Sequence, residues 1–220
     1  NMPNATTANG SPNSEANTNL LAKYGLSTKS DFGLIIRATR IIQETSDNAS
    51  HRAVAEILLR SAEHLPLIQF TAKKTSSRGS LNPTFKGSVA TMNVSVDQMA
   101  NANEFEQTFL HELIHGYTSH LFDVDSNTLT DAQSRAVKSI DALRKIAAKA
   151  LSPDEVVELN AFKAKFTKYR DGDRSIKFDK KMKDKYYGLI NNKEFVTMTM
   201  TEPNFQARLN KVLFTKDKTA

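Results

Sequence analysis

Apolar residues recur at helical spacing in some stretches of the chain and alternate in others, and the two rhythms divide it into elements. Residues 1–28 show neither. Asn, Thr, Ser and Ala dominate there, too little apolar surface to offset the entropy of ordering, so the segment reads as a disordered tail or linker before a domain over 29–220. From Asp31 onward, Leu34, Ile35, Ile36, Ile41 and Ile42 open an apolar-rich stretch, and Ala53, Val54, Ile57 and Leu58 follow at helical spacing. Pro66 separates that helix from a short strand at Leu67–Thr71, and Ser76, Ser77, Gly79, Ser80, Asn82 and Pro83 mark a turn-rich stretch. Alternation predicts a second strand over Ser88–Ser95.

Helices dominate the remainder. Asn101-Ala102-Asn103 precedes one that runs through Glu106, Phe109, Leu110, Leu113 and Ile114; a second covers Ala132–Ala150 and stops at Ser152-Pro153. A third spans Asp154–Tyr169, broken by Arg170-Asp171-Gly172-Asp173. Asn191-Asn192 precedes Glu194-Phe195-Val196, and Pro203 opens a last amphipathic helix through Leu209 and Leu213. The expected fold class is α+β, mostly helical, with a small sheet ahead of the helix at 106–114.

Composition narrows the chemistry. The 220 residues include no Cys, so a zinc site here must be built from His and carboxylates. No apolar run approaches the roughly 18 residues that cross a bilayer. The N-terminus has neither a basic nor an apolar signal region, which points to a cytoplasmic or virion-associated setting. The net charge of +6 owes much to Lys177, Lys180, Lys181, Lys183, Lys185 and Lys193, near Arg170 and Arg174. Such a run suits nucleic acid or an acidic partner, but a solvated lysine surface is the better account, since neither aromatic interleaving nor a known binding motif accompanies it.

One motif carries chemistry. His111-Glu112-Leu113-Ile114-His115 lies inside a predicted helix. Two His four residues apart share a helix face one turn apart, so both imidazoles can reach one cation. Glu112 projects from the next position, where it can take a proton from water at a metal and pass it to a leaving amine. With five His in the chain, random placement gives this pattern only about 0.006 times per sequence of this composition. A catalytic zinc site needs a third protein ligand. The metzincin extension would put Gly at 118 and His at 121, where the chain has Thr118 and Leu121; His120 is one residue out of register. Glu194 is the leading candidate, as a carboxylate beside apolar Phe195 and Val196 that needs a buried partner. A first-turn glutamate that merely suits the helix dipole is the plainer alternative, and Asp123 and Asp125 are rival ligands.

These residues resemble the gluzincin group of zinc metallopeptidases, in which His-Glu-x-x-His on one helix is completed by a Glu from a later helix. The likeness extends to metallopeptidase-like domains inside large phage and mobile-element polyproteins. It rests on His111–His120, on Tyr187-Gly188-Leu189, on Glu194-Phe195-Val196 and on Glu202-Pro203-Asn204-Phe205-Gln206. It implies a zincin-like fold, Zn²⁺ as cofactor, peptide-bond hydrolysis with Glu112 as general base, and a polypeptide substrate, including a parent polyprotein. Tyr187 stands seven residues before Glu194, the spacing at which lethal-factor-like gluzincins place an oxyanion-stabilising Tyr; Tyr186, or a purely packing role, is the alternative. The strand at 88–95 would correspond to the edge strand that pairs with substrate. One departure stands out: many gluzincins carry an acid four positions after the ligand Glu, and here that position is Met198. Loss of such a partner costs about 10- to 100-fold in affinity or activity, unless Thr197, Thr199 or a backbone carbonyl substitutes. The alternative function is a catalytically inactive zincin-fold module that binds nucleic acid or a virion partner through its basic C-terminal half.

Overall fold

A computed structural model describes residues 14–64, 67–73, 78–82, 89–173 and 175–214. The fold is α+β and mostly helical, with one small mixed sheet.

The helices begin where the sequence supplies an oxygen to accept orphan N–H groups. After α1 (Ser14–Lys23) and the two-residue strand β1 (Lys29–Ser30), Asp31 caps α2 (Phe32–Thr45) and Asn48 caps α3 (Ala49–Arg60). Strands β2 (Ile68–Ala72), β3 (Gly79–Asn82) and β4 (Ala90–Val94) follow. Asn101 then caps α4 (Ala102–Asp123), accepting from the Glu104 N–H at 3.0 Å. Reciprocal capping boxes, Thr130 with Gln133 and Ser152 with Glu155, start α5 (Asp131–Lys149) and α6 (Pro153–Arg170). Asp179 caps α7 (Lys180–Tyr186), a 3₁₀ turn covers Tyr187–Leu189, Asn191 caps α8 (Asn192–Thr201), and Pro203 opens α9 (Pro203–Phe214). Among the described residues no helix is long and apolar enough to cross a membrane.

The sheet order is β1-β2-β4-β3; β2 and β4 run parallel, with Ile68 opposite Ala90, and the outer strands pair antiparallel. Two expectations change here. The strand expected at 88–95 is Ala90–Val94 and lies inside the sheet; Ser88 falls outside the described residues. The outer strand beside α4 is instead β3, drawn from the stretch that read as turns, because Gly79, Ser80 and Asn82 lack the apolar alternation that marks a strand.

Two apolar clusters divide the interior. The first joins α1–α3, the sheet and α4 through Ile35, Ile42, Ile68, Phe70, Met92 and Phe109; the second joins α5–α9 through Leu159, Phe162, Tyr186, Leu189, Phe195 and Phe205. Helix α1 corrects the tail assigned to residues 1–28. Leu21 and Leu26 are buried and Tyr24 fully so; residues 1–13 lie outside the described ones. The Tyr24 hydroxyl donates to Glu106 of α4 at 2.6 Å, beside Ser46 at 2.5 Å and His51 Nδ1 at 3.0 Å. Burial pushes the Glu106 pKa up, but the hydrogen bonds from His51, Ser46 and Tyr24 outweigh it and hold the carboxyl below its ordinary value.

Candidate metal centre

The site forms where the two clusters meet, with α4 of the first packed on α8 of the second. Phe109, Leu110, Leu113 and Ile114 are buried, so they fix the α4 rotation that turns His111 and His115 toward α8. Their Nε2 atoms stand 3.1 Å apart. From α8, Glu194 enters in the first helical turn, its N–H held by the Asn191 cap at 2.9 Å. Its Oε2 lies 3.4 Å from His111 Nε2 and 3.4 Å from His115 Nε2. The expected third ligand is thus the residue brought to both histidines, and it is also a first-turn helix glutamate; the two roles coexist.

Ligands arranged tetrahedrally around zinc at about 2.0–2.1 Å stand about 3.3 Å from one another. The triangle of 3.1, 3.4 and 3.4 Å has that size. Glu194 Oε2 is moreover buried without a hydrogen-bond partner, and such an atom calls for a cation or a donor. The residues present therefore fit a zinc ion by both spacing and chemistry.

The electrostatics are those of packed opposite charges. Burial raises the Glu194 pKa, yet the close approach and charge of His111 and His115 outweigh it and leave the carboxyl well below its usual range. His115 shows the reciprocal effect: burial lowers its pKa, and Glu194 with Glu112 more than restores it, for a net rise. Glu112 is buried, and burial lifts its pKa against the opposing fields of the two histidines. The Tyr187 hydroxyl donates to Glu194 Oε1 at 3.0 Å, and its ring stacks against His111 with centroids 6.4 Å apart. Burial and the Glu194 charge hold the phenol far above its ordinary pKa, so it remains a donor.

The other candidates fall elsewhere. Asp123 pairs with Lys193, and Asp125 accepts from the Asn127 N–H in the turn after α4. His120 is exposed on α4; among the described residues only His111, His115 and Glu194 form a metal-capable cluster. Tyr186 is buried in the second cluster with its hydroxyl on Glu158, which leaves Tyr187 as the tyrosine at the site. Met198 packs in that same cluster. Thr197 donates to the carbonyls of Lys193 and Glu194, and Thr199 to that of Phe195.

The donor triangle opens into a cleft of about 280 Å³ whose further walls are Gly79, Ser80, Leu81, Ser119 and Lys193. A larger cavity of about 550 Å³, with Phe122, Leu129, Val137 and Ile190 in its wall, adjoins it across Lys193. None of the added wall residues was singled out by the sequence for this role. Lys193 alone had a signal, as the neighbour of Glu194. No family model, curated protein or solved structure matches this chain.

Proposed function

We propose that this chain is a zinc-dependent peptidase of gluzincin type, with His111, His115 and Glu194 as ligands and Glu112 as general base. The observation that supports it most is the donor triangle closed by a buried carboxylate oxygen that no hydrogen bond satisfies. Zinc bound there would supply Lewis acidity to a water and to the substrate carbonyl. Glu112, with its pKa raised by burial, takes the proton of the attacking water and returns it to the leaving amine. Tyr187, held protonated, would turn its hydroxyl from Glu194 Oε1 to the oxygen that becomes negative as the carbonyl carbon turns tetrahedral. The outer strand β3 borders the cleft, so an extended polypeptide can lie along it as an added strand.

Metal content by mass spectrometry together with cleavage of fluorescent casein tests this reading. About one zinc per chain is expected, lost in His111→Ala and in Glu194→Ala. Glu112→Gln should keep the metal and cleave at least about 100-fold more slowly, the lower end of what general acid–base catalysis contributes. A Glu112→Gln protein that still cleaves at the parent rate would overturn the mechanism. The competing reading, a non-catalytic module that binds nucleic acid, draws on exposed Lys177, Lys180 and Lys181. It requires salt-sensitive DNA binding that survives chelation.

A further inference from the structure

The outer strand comes unusually close to the general base. A Cβ built on Gly79 would stand 2.7 Å from Glu112 Oε1, 2.8 Å from Glu112 Cγ and 2.8 Å from Thr108 Cγ2. Distances below 3.0 Å are essentially never seen for real Cβ atoms, so a side chain at 79 forces a shift among Glu112, Thr108 and the strand, and the nearest atom is the mobile end of Glu112. Backbone conformation is not the reason for this glycine, because among the described residues the glycines with positive φ are Gly25 and Gly172. The close approach is.

A second contact reaches the same carboxylate from the same strand. In the antiparallel β3–β4 ladder the Arg78 carbonyl accepts from the Ser95 N–H at 2.8 Å, with Gly79 opposite Val94 and Leu81 opposite Met92. Alternation in such a ladder turns residues 79 and 81 away from β4. There the Leu81 N–H lies near enough to Glu112 to favour its charged form. Helix α4 cannot yield in compensation, since Phe109, Leu110, Leu113 and Ile114 are fully or almost fully buried.

We propose that β3 aims the general base: Gly79 vacates the space into which Glu112 fits, and the Leu81 N–H holds its carboxylate, so both are positioning residues. The proposal rests on the peptidase reading above. It makes the strand that borders the substrate cleft also the strand that sets the direction of proton transfer. A methyl group at 79 moves the carboxylate rather than the metal ligands, and a displacement of about 1 Å in a catalytic group can cost 100-fold in rate.

The test is Gly79→Ala, measured for zinc content, for kcat and KM on a quenched fluorescent peptide selected from a library with the parent protein, and for Tm. The expected result is unchanged zinc, KM within about twofold, and kcat lowered by about 10- to 100-fold. The Tm penalty of Gly79→Ala should shrink when Glu112→Ala is combined with it, because contacting residues couple while unrelated ones add. Should Gly79→Ala fail to fold, Leu81→Pro against Leu81→Ala isolates the N–H, since an outer strand tolerates proline where its N–H faces away from the ladder. The proline variant should then have the lower kcat at equal zinc. Parent-like kcat in Gly79→Ala, or equal kcat in Leu81→Pro and Leu81→Ala, overturns the proposal while Glu112→Gln remains inactive and the peptidase reading stands. A parent protein that holds zinc yet cleaves no library peptide overturns both, and that failure shows before any variant is made.

Discussion

Tyr187 and Glu194 share a hydrogen bond at the edge of the donor triangle, so one substitution separates the phenol from the ligand set. Tyr187→Phe keeps the ring that stacks on His111 and removes only the hydroxyl. If that hydroxyl serves the oxyanion, kcat should drop by about 10²–10³, while zinc content stays at the parent value. A kcat that falls only in proportion to lost zinc would assign the hydroxyl to ligand orientation. At this scale the sequence was informative wherever the relation is local. His111, Glu112 and His115 lie within one helical turn and a half, and Tyr187 and Glu194 are separated by a short 3₁₀ turn and a cap. The contact of Gly79 with Glu112 was invisible, because it joins a strand to a helix through space and glycine carries no pattern of its own. Asp123 looked like a ligand by proximity in sequence, but its carboxylate faces Lys193.

Among the elements, α1 and β3 departed most from expectation, and for the same reason. Each is short, polar in composition, and held by a partner distant in the chain. Helix α1 contributes few apolar side chains, yet Tyr24, in the turn that follows it, stacks on Phe105 at 4.9 Å and donates into the buried Glu106 network. Tyr24→Phe should cost about 1–3 kcal/mol, the penalty for depriving a buried charged acceptor of a donor, read as a shift in urea midpoint at constant slope. The Glu106 carboxyl sits below its ordinary pKa, so the stability it contributes is present above the unfolded value and is lost as pH falls through the folded one. The gap between parent and Tyr24→Phe should therefore narrow in acid; a gap independent of pH would locate the effect in packing alone. By contrast, Asn101, the Ser152-Pro153 start of α6 and the Asn191 cap of α8 were legible in advance, because a cap acts on N–H groups two or three residues away.

The molecule as a whole is built from two clusters, and the candidate site draws from both. α4 is anchored in the sheet cluster, whereas α8 is anchored through Phe195 and Met198 in the helical one. Zinc shared between them, as proposed, would stabilise the folded state by mass action. At free zinc 100-fold above the dissociation constant this is about 2.7 kcal/mol, or about 5–11 °C in Tm for a domain of this size. Chelation should lower Tm by that amount in the parent and leave Glu194→Ala unchanged; equal shifts in both would place the metal elsewhere. The seam also bears on the order of events during synthesis. Glu194 follows His115 by 79 positions, and at about 5–20 residues per second the ribosome delivers it roughly 4–16 s later. Throughout that interval the emerging chain holds His111 and His115 without Glu194, so on the peptidase reading the nascent chain would have an open donor set, and hydrolysis would have to wait for the last helices.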